Sequence, residues 1–490
     1  MSRVLVFLFL GFSCFELAAQ SRPNIILFLV DDLGWMDTSV PFGDSSGLRF
    51  STPNLQRLAQ TGTRFRQAYA TPVCTPTRIS LMTGMNAAQH GTTNWTSPQR
   101  DTPSDAPDNQ FAPANWRYNG LSPLPGVPAS VYATPLPQLL LDAGYYTIHV
   151  GKAHWGPMGT PGASPYNLGF MVNISGHSAG HPQSFLGMEN FGNLPGKATA
   201  QAVPDLEEYY GTDIFLTEAH TLEALKALQT PIARRQPFFL HLSHYAVHVP
   251  FDADSRFVQK FLDAGMDPAE ARYAALIEGM DKSLGDLMDF LEKEGIADET
   301  ILLFLSDNGG LSLSPPRKAP AYSHNLPLRA GKGSLYEGGI RIPMVVRWPG
   351  VTRPGTSSDY CLIAEDFFPT LLEMARLRKV QTVQTVTGIS FVPALKNPQL
   401  LNPERVLLWH YPNKWINTDG PAINYHSALR RGDWKLIRNL RNGQNMLYNL
   451  RQDPGEQAEC AARFPEITRE LANLLDSKLA SWKAPMPVPK

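Results

Sequence analysis

At 490 residues, with 18% of them charged and a formal net charge of -1, the chain has the bulk for a large core and lacks the electrostatic footprint of a nucleic-acid or membrane-surface protein. Any charged substrate must therefore be met by local groups. Four cysteines in so long a chain exclude a disulfide-stapled scaffold, so stability has to come from packing.

The chain opens with Arg3, a short apolar run and the small pair Ala18-Ala19, which reads as a secretory signal peptide over residues 1–19. The expectation is an exported protein, periplasmic or secreted, starting near Gln20. No later stretch reaches the ~20 apolar residues of a membrane span, so stable membrane insertion is not expected. Losing Cys14 with the signal leaves Cys74, Cys361 and Cys460, an odd set in which Cys74, between two prolines, asks for a purpose other than pairing.

Asn24 to Val30 is a continuous apolar run, the pattern of a strand buried on both faces, and it stops at Asp31-Asp32. Similar runs follow at Tyr146 to Val150, Pro237 to Leu242, Ile301 to Leu305 and Pro343 to Trp348. Helix-like stretches lie between them, at Thr134 to Ala143, Gly211 to Leu228, Pro268 to Glu294 and Glu365 to Ala375. This alternation predicts an α/β domain over residues 20–378, with a large, mostly parallel sheet sandwiched by helices. The segments 99–131 and 155–204 are rich in loop residues and read as long functional loops. Residues 379–403 look like a connector. From 404 to 490, three apolar segments separated by turn residues, then a helix from about Pro465, predict a small α+β subdomain with an antiparallel sheet.

Ligands of open α/β sheets gather beyond the carboxyl ends of strands. Asp31-Asp32 and Asp307-Asn308 both follow strands at once, giving an all-oxygen set suited to a hard cation such as Ca²⁺ or Mg²⁺. Taken singly, each pair also fits a helix cap or a turn. Lys152 and His154 follow the strand ending at Val150, His248 follows the strand ending at Leu242, and Lys332 precedes the Pro343 strand. With Arg78, the lysines could hold a tetrahedral oxyanion, and the histidines could move protons near neutral pH.

The block Cys74-Thr-Pro-Thr-Arg78, followed by Leu81-Met-Thr-Gly84, resembles the signature of the type I sulfatases of the alkaline phosphatase superfamily. Asn24 to Asp32, Gly151-Lys-Ala-His154, His248, Ser306-Asp-Asn-Gly-Gly310 and Gly331 to Pro343 follow that family's order. Thr77 stands where serine is commonest and keeps the hydroxyl. The resemblance implies that a maturation enzyme oxidises Cys74 to formylglycine (3-oxoalanine), and that Asp31, Asp32, Asp307, Asn308 and the modified Cys74 bind one Ca²⁺. It implies that one hydroxyl of the hydrated aldehyde attacks sulfur and that the second then drives release of sulfate by carbon–oxygen cleavage. Arg78 would orient the modified residue, Lys152 and Lys332 would neutralise sulfate oxygens, His248 would protonate the leaving oxygen, and His154 would assist the collapse.

Tyr166 to Phe170, Asn173 to His181 and Asn94 to Thr96 resemble segments of secreted bacterial polysaccharide sulfatases. They suggest an exo-acting hydrolase of sulfated polysaccharide or glycosaminoglycan fragments, with Trp95, His177, His181, His410 and Trp415 as candidate sugar contacts. Two rival readings are a phosphonate or phosphate-ester hydrolase of the same superfamily and a non-catalytic sulfoglycan-binding protein with an unmodified Cys74.

Overall fold

The run Asn24–Val30 forms strand β1, and all seven residues are buried. The structure is a computed structural model describing residues 22–43, 50–311, 323–377 and 379–490; the expected signal peptide and Cys14 lie outside them. Ile26, Phe28 and Val30 enter the core on one face of the sheet, and Ile25, Leu27 and Leu29 enter the core on the other. Each such side chain contributes about 2 kcal/mol when fully buried, and a strand covered on both sides cannot afford a polar face.

Seven more strands complete the sheet: β2 (Thr63–Phe65), β3 (Tyr146–Gly151), β4 (Val172–Ile174), β5 (Phe238–Ser243), β6 (Thr300–Ser306), β7 (Met344–Arg347) and β8 (Thr356–Ser358). Their spatial order is β8-β2-β7-β6-β1-β5-β3-β4. Strands β6, β1, β5, β3 and β4 are parallel neighbours, whereas β7 runs antiparallel to both β6 and β2. The sheet is thus mostly parallel, with one reversed strand.

Helices cover both faces. On one side lie α1 (Pro53–Thr61), α4 (Leu216–Ala233) and α5 (Pro268–Lys293). On the other lie α2 (Cys74–Thr83), α3 (Leu136–Asp142) and α6 (Phe367–Met374). Helix α5 begins where Asp267 accepts from Ala269 N–H and Pro268 occupies the first turn, whose missing N–H costs nothing there.

Strands β9 (Val406–Tyr411), β10 (His426–Arg431), β11 (Trp434–Asn439) and β12 (Asn445–Asn449) form an antiparallel meander. Helix α7 (Pro465–Trp482) packs on one face of it. The other face packs against Tyr69, Leu335 and Tyr336, so the small sheet braces the segment that carries Lys332. The segment 155–204 is better organised than a bare loop, with 3-10 turns at Pro161–Ala163, Pro165–Leu168 and Gly187–Gly192 beside β4. Among the described residues, Cys74, Cys361 and Cys460 form no disulfide.

Candidate active site

Register brings the acidic pairs together. Val30 lies opposite Ser306, so Asp31 and Asp307 leave neighbouring parallel strands at one level. Ser243 lies opposite both Leu29 and Gly151, which brings the start of the Lys152 segment to the same edge. Adjacent side chains of an extended strand would diverge, but Asp32 adopts φ 63°, a left-handed turn that redirects its carboxylate. The Ser306 hydroxyl accepts from Leu33 N–H at 3.0 Å and donates to Asn308 C=O at 2.8 Å, tying the two strand exits to each other.

Three buried carboxylates face three buried cations. Lys152 Nζ lies 2.6 Å from Asp31 Oδ2, and Lys332 Nζ lies 2.6 Å from Asp32 Oδ1. Arg78 donates to Asp307 Oδ2 through Nε at 2.9 Å, with Nη2 at 2.8 Å from the same oxygen. Its Nη1 donates to Lys152 C=O at 2.8 Å and to Ser243 Oγ at 2.7 Å. Charge is therefore balanced, yet Asp31 Oδ1, Asp32 Oδ2 and Asn308 Oδ1 are buried with no hydrogen-bond donor among the described residues. Burial, with the Asp307 charge, pushes Asp31 up to about 8 despite Lys152. Against burial, Lys332 and then His248 hold Asp32 well below the usual carboxylate range.

These donorless oxygens fit a hard divalent cation, which takes carboxylate and amide oxygens and would favour the charged form of Asp31. Asp31, Asp32 and His248 also offer ligand atoms within 4.8 Å of one another. An all-oxygen set suits Ca²⁺ or Mg²⁺ better than one including the His248 nitrogen.

Cys74 is the first residue of α2, and Val73 before it supplies no side-chain cap. The free N–H groups and dipole of that helix end favour negative charge at position 74. Pro76 fits in the first turn, where a missing N–H is harmless. Thr77 Oγ1 accepts from Thr71 N–H at 2.9 Å and bonds the Thr71 hydroxyl at 2.7 Å, bracing the turn before Cys74. The thiol itself is a poor nucleophile: it is 4% exposed, and burial raises its pKa despite Lys152 and Lys332.

His154, at φ 53°, approaches Cys74 Sγ with Nδ1 at 3.4 Å. Its Nε2 lies 2.9 Å from Thr96 C=O and must donate there, which leaves Nδ1 bare as a base facing position 74. Burial, then Lys152, holds this histidine well below its ordinary pKa. His248 has the opposite tautomer. Its Nδ1 donates to Val249 C=O at 3.0 Å, and its Nε2 lies 3.6 Å from Asp32 Oδ2.

The Sulfatase family model matches residues 23–377, and the model described as N-sulphoglucosamine sulphohydrolase, C-terminal, matches residues 331–483. This chain belongs to the sulfatase family. A protein named Sulfatase from Formosa agariphila is 30% identical to it, covering 95% of this chain and 89% of that protein. The mouse N-acetylgalactosamine-6-sulfatase is 31% identical, covering 91% of this chain and 82% of the relative. Among solved structures, Ps i-CgsB in complex with k-i-k-neocarrahexaose superposes with a TM-score of 0.72 at 25% identity, covering 94% of this chain and 93% of the other. The α/β fold and the hydrolysis of sulfate esters follow from this membership.

Around this sulfatase's charged centre, four of the five expected sugar contacts lie on segments that touch the catalytic set. Trp95, partly exposed, adjoins Thr96, the carbonyl partner of His154. The His177 carbonyl accepts from His154 N–H at 3.1 Å, and the His177 Nε2 is buried with no hydrogen-bond partner among the described residues. His181 stacks on His248 with ring centroids 5.8 Å apart. Trp415 packs over Gly333, next to Lys332, so tightly that a Cβ on Gly333 would lie 2.0 Å from its ring.

His410 is a correction to the sequence reading. It is 2% exposed, its Nδ1 lies 2.7 Å from Ser427 Oγ and its Nε2 lies 2.6 Å from Pro485 C=O. One nitrogen is engaged by Ser427 on β10 and the other by Pro485 beyond α7, so the buried His410 ring is committed to packing within the C-terminal subdomain. Sequence reasoning missed Ser243, Thr75, Thr96 and Gly180. Ser243 fixes Arg78, the Thr75 hydroxyl lies 3.3 Å from His154 Nδ1, and the backbone of Gly180 lies against the His154 ring. Signals were available: Ser243 directly follows the predicted Pro237 to Leu242 strand, and Thr75, Thr96 and Gly180 lie inside the segments Cys74 to Arg78, Asn94 to Thr96 and Asn173 to His181.

Proposed function

We propose that the chain hydrolyses sulfate monoesters of carbohydrates as an exo-acting enzyme of sulfated polysaccharide or glycosaminoglycan fragments, with formylglycine at position 74 and Ca²⁺ between the acidic pairs. The observation that carries this reading is the balanced ring of three carboxylates and three cations, with donorless buried oxygens, around the free helix end at Cys74. Ca²⁺ held by Asp31, Asp32, Asp307, Asn308 and residue 74 would tip that balance positive and so favour an anionic sulfate. The hydrated aldehyde supplies a nucleophilic oxygen and a second hydroxyl, a release route that a thiol lacks.

The protein's own groups account for the remaining steps. Arg78 holds Asp307 and the Lys152 carbonyl, fixing the floor under residue 74. Lys152 and Lys332 point fixed positive charge at the sulfate oxygens, and one such donor is commonly worth about 3 kcal/mol. His154 Nδ1 accepts the proton of the residue-74 hydroxyl, and His248 Nε2 protonates the leaving oxygen. In the free site burial and then Lys332 hold His248 well below its ordinary pKa. A sulfate monoester adds negative charge, the direction that favours protonation of His248.

Carbohydrate as the carrier is supported by the names of the relatives and by Trp95, His177, His181 and Trp415 around the charged centre. Export to the periplasm or medium, after maturation by a formylglycine-generating enzyme, completes the proposal; no helix among the described residues is long and apolar enough to cross a membrane. The test is sulfate release from a panel of defined sulfated monosaccharides, beside an aryl sulfate and an aryl phosphate. Release from at least one sugar and preference for sulfate over phosphate support the reading. Preference for the phosphate would favour the phosphoryl-transfer alternative, and tight binding without turnover would favour a sulfoglycan-binding protein.

A further inference from the structure

One short segment touches both histidines assigned to proton transfer. The carbonyl of His177 receives the N–H of His154, and a Cβ on Gly180 would lie 2.6 Å from His154 Cε1. The imidazole of His181 lies parallel to that of His248, with an interplanar angle of 5° and centroids 5.8 Å apart. That separation and angle are those of an offset stack, an arrangement aromatic rings prefer over a direct sandwich.

The segment is anchored at both ends. Before it, Ser175 N–H donates to Asp205 Oδ2 at 3.0 Å and the Ser175 hydroxyl donates to Pro204 C=O at 3.0 Å. Asn173 and Gly176 exchange hydrogen bonds at 3.0 and 3.1 Å, closing the turn that leads into it. After it, Phe185 N–H donates to Asp252 Oδ2 at 2.9 Å. His181 is held in its own right, because its Nδ1 lies 3.0 Å from Pro182 C=O and donates to it. His248 makes the equivalent bond to Val249 C=O. One hydrogen bond fixes a point on a ring and leaves rotation about it. A second, flat contact removes that freedom.

We infer that His181 is a positioning residue for His248: its imidazole, held by the anchored 175–185 segment, fixes the ring plane from which His248 Nε2 reaches the leaving-group oxygen. The inference rests on the proposed role of His248 as general acid. His181 need not touch substrate to act in this way, which separates it from a sugar contact.

The experiment crosses two substitutions with two aryl sulfates that carry no sugar. His181→Phe keeps a flat ring and drops the polar nitrogens; His181→Gln keeps a hydrogen-bonding end and drops the ring. Each purified, matured enzyme is assayed with 4-nitrophenyl sulfate, whose leaving group needs little protonation, and with phenyl sulfate, whose leaving group needs it more. A positioning role predicts that His181→Gln loses on the order of tenfold more kcat on phenyl than on nitrophenyl sulfate, while His181→Phe keeps the wild-type ratio. Because the readout is a ratio within one preparation, partial unfolding cancels. The inference is overturned if His181→Gln keeps the wild-type ratio, or if His181→Phe shows the selective loss. Absence of sulfate release by the matured wild-type enzyme would instead contradict the proposed function itself.

Discussion

Arg78 is wholly buried, and its guanidinium serves Asp307, the Lys152 carbonyl and Ser243 at once. Lysine carries the charge but cannot present that planar fork. Arg78→Lys should therefore lower kcat on an aryl sulfate by about a hundredfold, equivalent to about 2.7 kcal/mol, and should lower the melting temperature, both measured on one preparation. Thr77 gives a sharper contrast, because its hydroxyl bonds the Thr71 backbone and side chain. Thr77→Ser should be close to neutral, and Thr77→Val should cost about 1 to 3 kcal/mol in urea unfolding. Arg78 and Thr77 were legible because both sit inside a compact motif. His410 was misread because a histidine between Trp409 and Tyr411 looks like sugar-binding chemistry, whereas its cross-strand partner Ser427 supplies a structural one. That pairing depends on register across a 17-residue separation and leaves no local mark.

The continuous apolar runs ending in Asp31-Asp32 and Asp307-Asn308 announced two strands and a shared edge, and the parallel register puts those pairs at one level. The direction of β7 was not legible, since a short apolar run carries no polarity of its own. Nor was the path of the 175–185 segment, whose contacts depend on Asp205 and Asp252 far along the chain. Its close approach to His154 makes a clear prediction. Gly180→Ala should cost about a hundredfold in kcat, because displacing a catalytic group by a fraction of an ångström is enough, while the melting temperature changes little. Equal activity in that variant would show that the segment yields to the added methyl and that its contact with His154 is slack.

Across the whole molecule, buried histidines set the response to acid. Burial holds His90, His149 and His244 at about 3, and His177 and His410 at about 4. A histidine lowered in the folded state contributes fully above about pH 6.5, and that contribution is lost as pH falls toward these values. Asp31, raised by burial to about 8, Glu365 and Glu456, raised to about 7, and Asp366, raised to about 6, act in the opposite sense: they favour the folded state as pH falls through those values, and the gain is complete once unfolded carboxylates protonate near pH 4. The histidines outnumber them, so the urea midpoint should drop between pH 6.5 and pH 4. A midpoint that stayed level or rose would contradict that balance. Chelation by EGTA should abolish sulfate release and lower the melting temperature, with both restored by Ca²⁺; a cation at one hundred times its Kd contributes about 2.7 kcal/mol.

All of these effects converge on residue 74, which heads α2, faces His154 Nδ1 and carries a thiol whose pKa burial has raised. The most direct measurement is the mass of the residue-74 peptide from enzyme purified in active form, with and without a thiol-alkylating reagent. The account predicts an aldehyde at position 74 that reacts with hydrazide and not with the alkylating reagent. A fully alkylatable thiol there, in protein that still turns over sulfate esters, would contradict it.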